Sequence, residues 1–491
     1  MRIIGNNPQL SRQTQGTASG AITGGKPVLV NTDGTVTQIS EVTQAVGTAV
    51  KFENAEIGNA DITFDSNSNR VVIAYKDEGN SNAGTAIVGS VNSSDNSIAF
   101  GTAVVFESGN CNQPHITFDS NSNRVVIAYM DSNNSSYGTA IVGSVNSSDN
   151  SIAFGTAVVF LSAAVSGEPV TVTFDSNVNR VVIAYDHGGD SQKGYAIVGS
   201  VDSSDNSIAF GTHVKYENSG VNNAEATFDS NSNKIVIAYR SSLSGSAQGK
   251  AIVGTVDASD NSISYGTAAV IASVTANHIT STFDSNSNKV VVAYRDSSNS
   301  NVGTAAIGTI SGTDISFGTP VVFNAASTYY PGAGFDSENN KVVISYSNGS
   351  NYGTVITGAI SGTTISFDTA LVITGSNQAF YLQNAFDTNS NRSVISYFDR
   401  GDSDHGKASV FKTGVSTNIT SENFIGFAED TVATGQPVTV NTKGAVDENQ
   451  TSLTPAQQYF VQTDGTLGTS AGSPSVVAGT AVTATKLIVK G

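Results

Sequence analysis

The chain has 491 residues, 23 Lys and Arg against 40 Asp and Glu, and a formal net charge of −17, with 49 Gly, one Cys and no Trp. So acidic a chain lacks the clustered basic residues that phosphate binding needs, which excludes a nucleic-acid footprint. A single cysteine excludes a disulfide framework and a cysteine-built metal site, and polarity carried by Ser, Thr, Asn and Gly suits short strands and tight turns.

The N-terminus reads MRIIGNNPQLSRQTQG. Its apolar run is too short for the core of a signal peptide. No stretch approaches the roughly 20 apolar residues needed to cross a bilayer. The expectation is a protein made in a cytoplasm, without membrane insertion, that leaves a cell only as part of a particle. Residues 19–40 then carry the pattern G-x-P-V-x-V-N-T-x-G, which returns near the other end of the chain at residues 435–444.

The middle of the chain is a repeat. Phe-Asp recurs at Phe64, Phe118, Phe174, Phe228, Phe283, Phe335 and Phe386, at spacings of 54, 56, 54, 55, 52 and 51 residues. Each copy reads alike: a short strand ending in Phe-Asp, a turn such as DSNSNR, the strand VVIAY, a polar loop, the strand GTAIVGSV, the turn NSSDNS, and the strand IAFGTAVVF. β-branched and aromatic runs bounded by Asn, Ser and Gly predict a four-stranded antiparallel meander. A period near 50 with four strands predicts a propeller blade. The seventh copy lacks its fourth strand, and a matching strand, Val46–Phe52, precedes the first copy. The expectation is an all-β, seven-bladed β-propeller over residues 44–415, closed by that N-terminal strand so that no sheet edge is left open. There is neither a WD dipeptide nor the S-x-D-x-G-x-T-W box of sialidases.

Comparing the seven copies separates two faces. The turn after the first strand is nearly constant, whereas the loops between strands two and three, and between blades, diverge. Divergent loops on a rigid scaffold make binding surfaces. Candidate ligand-binding residues on that face are His115, Glu168, Glu225, Arg240, His278, Arg295, Tyr329, Tyr330, Tyr381 and Arg400, with His187, Phe380 and His405 nearby in sequence. Aromatic rings beside polar groups suit a sugar, whose apolar faces stack while its hydroxyls are hydrogen-bonded. The D-x-N-x-N turns have oxygen at calcium-loop spacing, but Arg or Lys follows where a calcium loop wants glycine. They read as Asx-turns, with no metal. Glu168, Glu225 and Asp61 fall near first-strand ends, but glycoside hydrolysis needs a defined carboxylate pair and the spacing selects none. The chain is expected not to be an enzyme and to need no cofactor, a polysaccharide-degrading enzyme being the alternative.

The C-terminal segment, residues 416–491, is expected to form a small β module with residues 1–43. Strands are predicted at Phe424–Ala428, Val438–Asn441, Tyr459–Gln462, Ser475–Ala478 and Lys486–Val489. The stretch S-L-T-P-A-Q-Q-Y-F-V-Q-T-D-G-T-L, at residues 452–467, resembles the end modules of tail-fibre-like virion proteins of marine tailed bacteriophages. That resemblance covers about 70 residues. It implies a virion structural protein, a tail fibre or tail-associated protein, assembled in the host cytoplasm and exposed on the virion surface. Its implied partners are other virion proteins and a host-surface glycan or protein, in a homotrimer. A capsid-attached fibre or decoration protein with a propeller spacer is the other structural reading.

Overall fold

The computed structural model describes residues 12–165, 170–242, 247–417, 419–472 and 474–490. The chain forms two compact units: Ala45–Thr413, and Met1–Gln44 with Gly414–Gly491. Among the described residues there is no α-helix, only strands and four short 3-10 turns.

The larger unit is all-β and propeller-like, built of antiparallel meanders in register with the sequence repeat. In the first copy, Val50–Asp65 pairs with Arg70–Asp77, which pairs with Ala83–Asn92. That strand in turn carries both Ser97–Phe100 and Val104–Glu107 on its far edge. The fourth strand is therefore broken in two at Gly101-Thr102. Every sheet is open; none closes on itself among the described residues.

Packing explains why the second strands are continuously apolar rather than alternating. Val71, Val72, Ile73, Ala74 and Tyr75 are all fully buried. Val71, Ile73 and Tyr75 point into a core shared with Val394 and Val410 of the seventh copy. Val72 and Ala74 point into one shared with Val125 and Ile127 of the second. A sheet covered on both faces needs apolar residues on both, and each fully buried Val or Ile contributes about 1.5–3 kcal/mol.

The fourth strand of the seventh copy comes from the other end of its unit. Ala45–Val46 pairs with Phe411 and Lys412, and Val50 and Lys51 pair with Ala408 and Lys407. Lys51 is bonded to Asp402 at 2.9 Å, and Lys407 reaches Asp399 and Asp402 at 2.7 and 2.8 Å. Val50–Asp65 thus belongs to two meanders, and the first and seventh copies share one nine-stranded sheet.

The constant turns work as joints. Asp65 is buried, and its Oδ1 accepts the backbone N–H groups of Asn67 and Ser68 at 2.9 and 3.0 Å. The same Asx-turn recurs in all seven copies, as read from sequence. Arg70 does not pair with that aspartate. It donates instead to Asn150 and to the Ser147 carbonyl, both in the next copy's turn. Arg124 and Arg180 do the same one and two copies on.

One glycine marks these joints. A Cβ at Gly101 would lie 2.1 Å from the Asn150 carbonyl oxygen of the next copy. The sixth copy has Asp368 in that position. Its neighbour, the seventh copy, has no such turn, and the Asp368 side chain is 44% exposed. Asp368 there accepts from Lys341 at 2.9 Å and Thr357 at 2.7 Å.

The smaller unit interleaves both chain ends. Gln13–Thr17, Pro27–Val30 and Val36–Gln38 share a five-stranded sheet with Phe424–Ala428 and Pro437–Asn441. A second sheet contains Val446–Asp447, Gln458–Val461, Leu467–Gly468, Val477–Ala481 and Leu487–Val489. The repeated G-x-P motif has one structural meaning: Gly25 and Gly435 both take φ +77° before the strand, and Gly34 and Gly444 take φ +84° and +86° after it.

Candidate functional site

In five copies the first strand approaches the divergent loops through the same β-bulge. Pairing jumps between Asn112 and His115, Asn222 and Glu225, Asn277 and Thr280, Tyr329 and Gly332, and Phe380 and Gln383. The first residue skipped is left-handed each time: Gln113 (φ +49°), Asn223 (+47°), His278 (+48°), Tyr330 (+49°) and Tyr381 (+51°). Each stands five residues before the Phe of Phe-Asp. A bulge re-aims a side chain, and a non-glycine residue held left-handed is a costly conformation that clusters at binding sites.

All five of these side chains line one cavity of about 80 Å³, room for several waters. His115, Glu225 and Gln383, three residues before the Phe in their own copies, complete its polar floor. The aromatic wall is continuous. His278 and Tyr330 have ring centroids 4.4 Å apart, Tyr330 and Tyr381 4.1 Å, and Tyr381 and Phe398 5.6 Å.

Neighbouring copies divide the polar floor residues into two kinds. Asp61 Oδ2 accepts the Ile116 N–H of the next copy at 2.9 Å. Thr171 accepts from Ala226 N–H, and Thr280 from Ala333 N–H, each at 3.1 Å. These three side chains satisfy the free edge of the adjoining strand and do not line the cavity. His115, Glu225 and Gln383 occupy the same repeat position in other copies and turn to the cavity instead.

Electrostatics distinguish the two sides. Burial pushes the Glu225 carboxyl up to about 7, with His115 working against the rise and Asp61 with it. Burial disfavours the His115 imidazolium, but Asp61, 3.4 Å from Nδ1, and Glu225 outweigh it and raise the group above its ordinary value. His278 is pushed down to about 4, first by burial and then by Arg295 and Arg240. Glu225 thus offers a carboxyl that can donate or accept near neutral pH, whereas His278 is a neutral ring.

The remaining candidates lie outside the cavity lining. Arg295 stacks on Tyr329 at 4.4 Å and donates to Asn301 at 2.9 Å. Arg240 donates to Asn277, beside His278. Arg400 is exposed and lies over Phe380 at 4.8 Å. His187 packs on Tyr195, and His405 contacts Lys51. Glu168 falls outside the described residues. Gln113, Asn223 and Gln383 were not among the candidates. Aligning the copies on Phe-Asp would have found them: Gln113 and Asn223 share a column with His278, Tyr330 and Tyr381, and Gln383 shares one with His115 and Glu225.

A second opening of about 500 Å³ faces the constant turns. It is lined by Thr63, Thr173, Thr227 and Thr282 with Phe64 and Phe228, among others, and by no ionisable side chain.

No protein-family description matches this chain, and neither does any curated protein. Solved structures do. The BP39L lectin from Burkholderia pseudomallei shares 11% identity with a TM-score of 0.52, over 74% of this chain and 98% of that one. A mutant of NanB sialidase from Streptococcus pneumoniae shares 11% identity with a TM-score of 0.43, over 76% and 70%. A mutant of AofleA from Arthrobotrys oligospora shares 9% with a TM-score of 0.43, over 70% and 92%. At these identities the likeness bears on fold alone. It does correct one expectation, that the chain is not an enzyme. A sialidase, which is an enzyme, stands among the structures this chain resembles. Activity resides in sites grafted on a fold, so a missing sialidase box is no ground for denying catalysis.

Proposed function

We propose that this protein is a carbohydrate-recognition protein whose meanders are the blades of a closed seven-bladed propeller, with the ligand held in the central cavity on the divergent face. The observation that carries the reading is the ring of bulges: five copies spend a left-handed non-glycine residue on aiming a side chain into one cavity. Tyr330 and Tyr381 supply a stacking surface for the apolar face of a sugar ring. Glu225, His115 and Gln383 supply hydroxyl partners beneath it.

Closure of the ring is supported by the core that the first and seventh copies share, and by the N-terminal strand paired to the seventh. In the virion setting that the C-terminal resemblance suggests, the smaller unit anchors the protein to other virion proteins and the cavity meets a host-surface glycan.

The test is a glycan array probed with the full chain and with a Tyr330→Ala/Tyr381→Ala variant. Selective binding lost in the folded variant supports the reading. Binding that survives the double substitution places the ligand elsewhere, and no binding by either removes the carbohydrate reading.

A further inference from the structure

The cavity is asymmetric in charge. Among the described residues that line it there is no Lys or Arg, and Glu225 is the one carboxylate. The acid beneath it, Asp61, is engaged by two backbone N–H groups and by His115. Glu225 accepts from the Thr171 hydroxyl at 3.3 Å, and a carboxylate has acceptor capacity beyond that one bond to face the ligand. We propose that the site takes a neutral, hydroxyl-rich sugar and rejects acidic ones such as uronic or sialic acids, with Glu225 as the residue that sets this choice.

This rests on the carbohydrate reading above and narrows its ligand. A carboxylate brought into the cavity would meet Glu225, while the cations nearby are engaged elsewhere: His115 with Asp61, Arg240 with Asn277, and Arg295 with Asn301 and Tyr329. Like charges about 4 Å apart in a partly dehydrated site repel strongly enough for a tenfold or greater discrimination. A neutral ring keeps both uses of the group, since hydroxyls donate to the carboxylate or accept from the acid. The titratable groups facing Glu225 are His115, from the second copy, and Asp61, from the first. His278 lines the same cavity as a neutral imidazole near pH 7. Because burial holds the Glu225 carboxyl up near neutrality, rejection of acidic sugars strengthens as the pH rises from 6 to 8.

The experiment measures affinities of the full chain for matched neutral and uronic-acid oligosaccharides at pH 6 and pH 8, in wild type, Glu225→Gln and Tyr330→Ala. The expected result is wild-type preference for the neutral member by tenfold or more at pH 8, smaller at pH 6. Glu225→Gln should weaken the neutral sugar through the altered hydroxyl contact and shrink the ratio of the two affinities to under threefold at both pH values. Equal or tighter wild-type binding of the acidic member overturns the inference, and so does a preference unchanged in Glu225→Gln. In both cases loss of all binding in Tyr330→Ala leaves the carbohydrate reading standing. No binding of either sugar by wild type overturns both. Melting curves of the variants confirm that each is folded.

Discussion

Arg392, in the seventh copy, donates to Asn96 Oδ1 and, at 2.9 Å, to the Ser93 carbonyl, both in the first copy. Arg70 makes the same two bonds to Asn150 and Ser147, eighty residues further along the chain rather than three hundred back. A joint between sequence-distant copies is chemically the same as a joint between consecutive ones. Charge-assisted hydrogen bonds contribute about 1.5–3 kcal/mol each, less where half exposed. Arg392→Ala and Arg70→Ala should each lower unfolding free energy by about 2 kcal/mol, and by the same amount within error. Denaturant titration checks this, and a much smaller effect for Arg392 would mean that the two joints differ.

The glycines of the broken fourth strand should be far less replaceable than their one natural exception. Gly101→Ala drives a Cβ to 2.1 Å from a carbonyl oxygen, and relieving that overpacking costs about 1–3 kcal/mol. Asp368→Ala loses only partly exposed contacts to Lys341 and Thr357, worth about 1 kcal/mol or less. Calorimetry of the two variants should show a clear drop in Tm for the first and little for the second.

Tyr330→Asn should separate binding from folding. The fourth copy already carries Asn223 at the equivalent bulge with φ +47°, and asparagine takes left-handed backbone with less strain than tyrosine. The variant should fold with a Tm within about 3 °C of wild type and lose glycan binding. Loss of folding would show that the ring is there for packing alone.

His278 should confer a measurable acid sensitivity. Its folded value is depressed to about 4, against about 6.5 in an unfolded chain. Between those values the unfolded state takes up a proton that the folded state refuses, so stability falls as the pH drops from 6.5 towards 4. The full extent is about 3 kcal/mol. Glu225 works in the opposite sense: its raised carboxyl stabilises the fold below pH 4.5, and that contribution is lost as the pH rises towards 7. Unfolding free energies of wild type and His278→Gln at pH 7 and pH 4 isolate the histidine, and parallel pH dependences would refute it.

Removing residues 1–44 should unfold the smaller unit. That deletion takes away three of the five strands in the sheet both chain ends share, together with the buried Val28, Leu29, Val36 and Ile39. Limited proteolysis should then cut freely within 414–491 while 45–413 stays resistant.

The repeat was legible in sequence because seven copies of Phe-Asp and VVIAY repeat one physical demand, apolar side chains on both faces of each sheet. The flanking strands were legible more loosely. Phe424–Ala428 has its expected bounds, whereas Val477–Ala481 begins two residues later than expected. The cavity was half legible. His115, Glu225, His278, Tyr330 and Tyr381 stood out by residue type, but Gln113, Asn223 and Gln383 look like ordinary loop polarity. A bulge turns Gln113 and Asn223 inward and another directly precedes Gln383, and a bulge is a register shift between two strands that one strand's sequence does not spell. Arg240, Arg295 and Arg400 drew attention as rare charges and are instead held by Asn277, Tyr329 and Phe380.

The aspartate at position 368 is a scar of where the chain was cut. It stands where the other copies keep glycine because the turn it would strike is the one turn replaced by the two ends of the unit. A circularly permuted chain, with Thr413 tethered to Ala45 through a new NSSDNS-like turn and fresh termini opened elsewhere, would refill that gap. It would then require glycine at 368 and release the glycine facing the new opening. The location of the termini is therefore encoded twice, once by chain ends and once by a single side chain nearly fifty residues upstream.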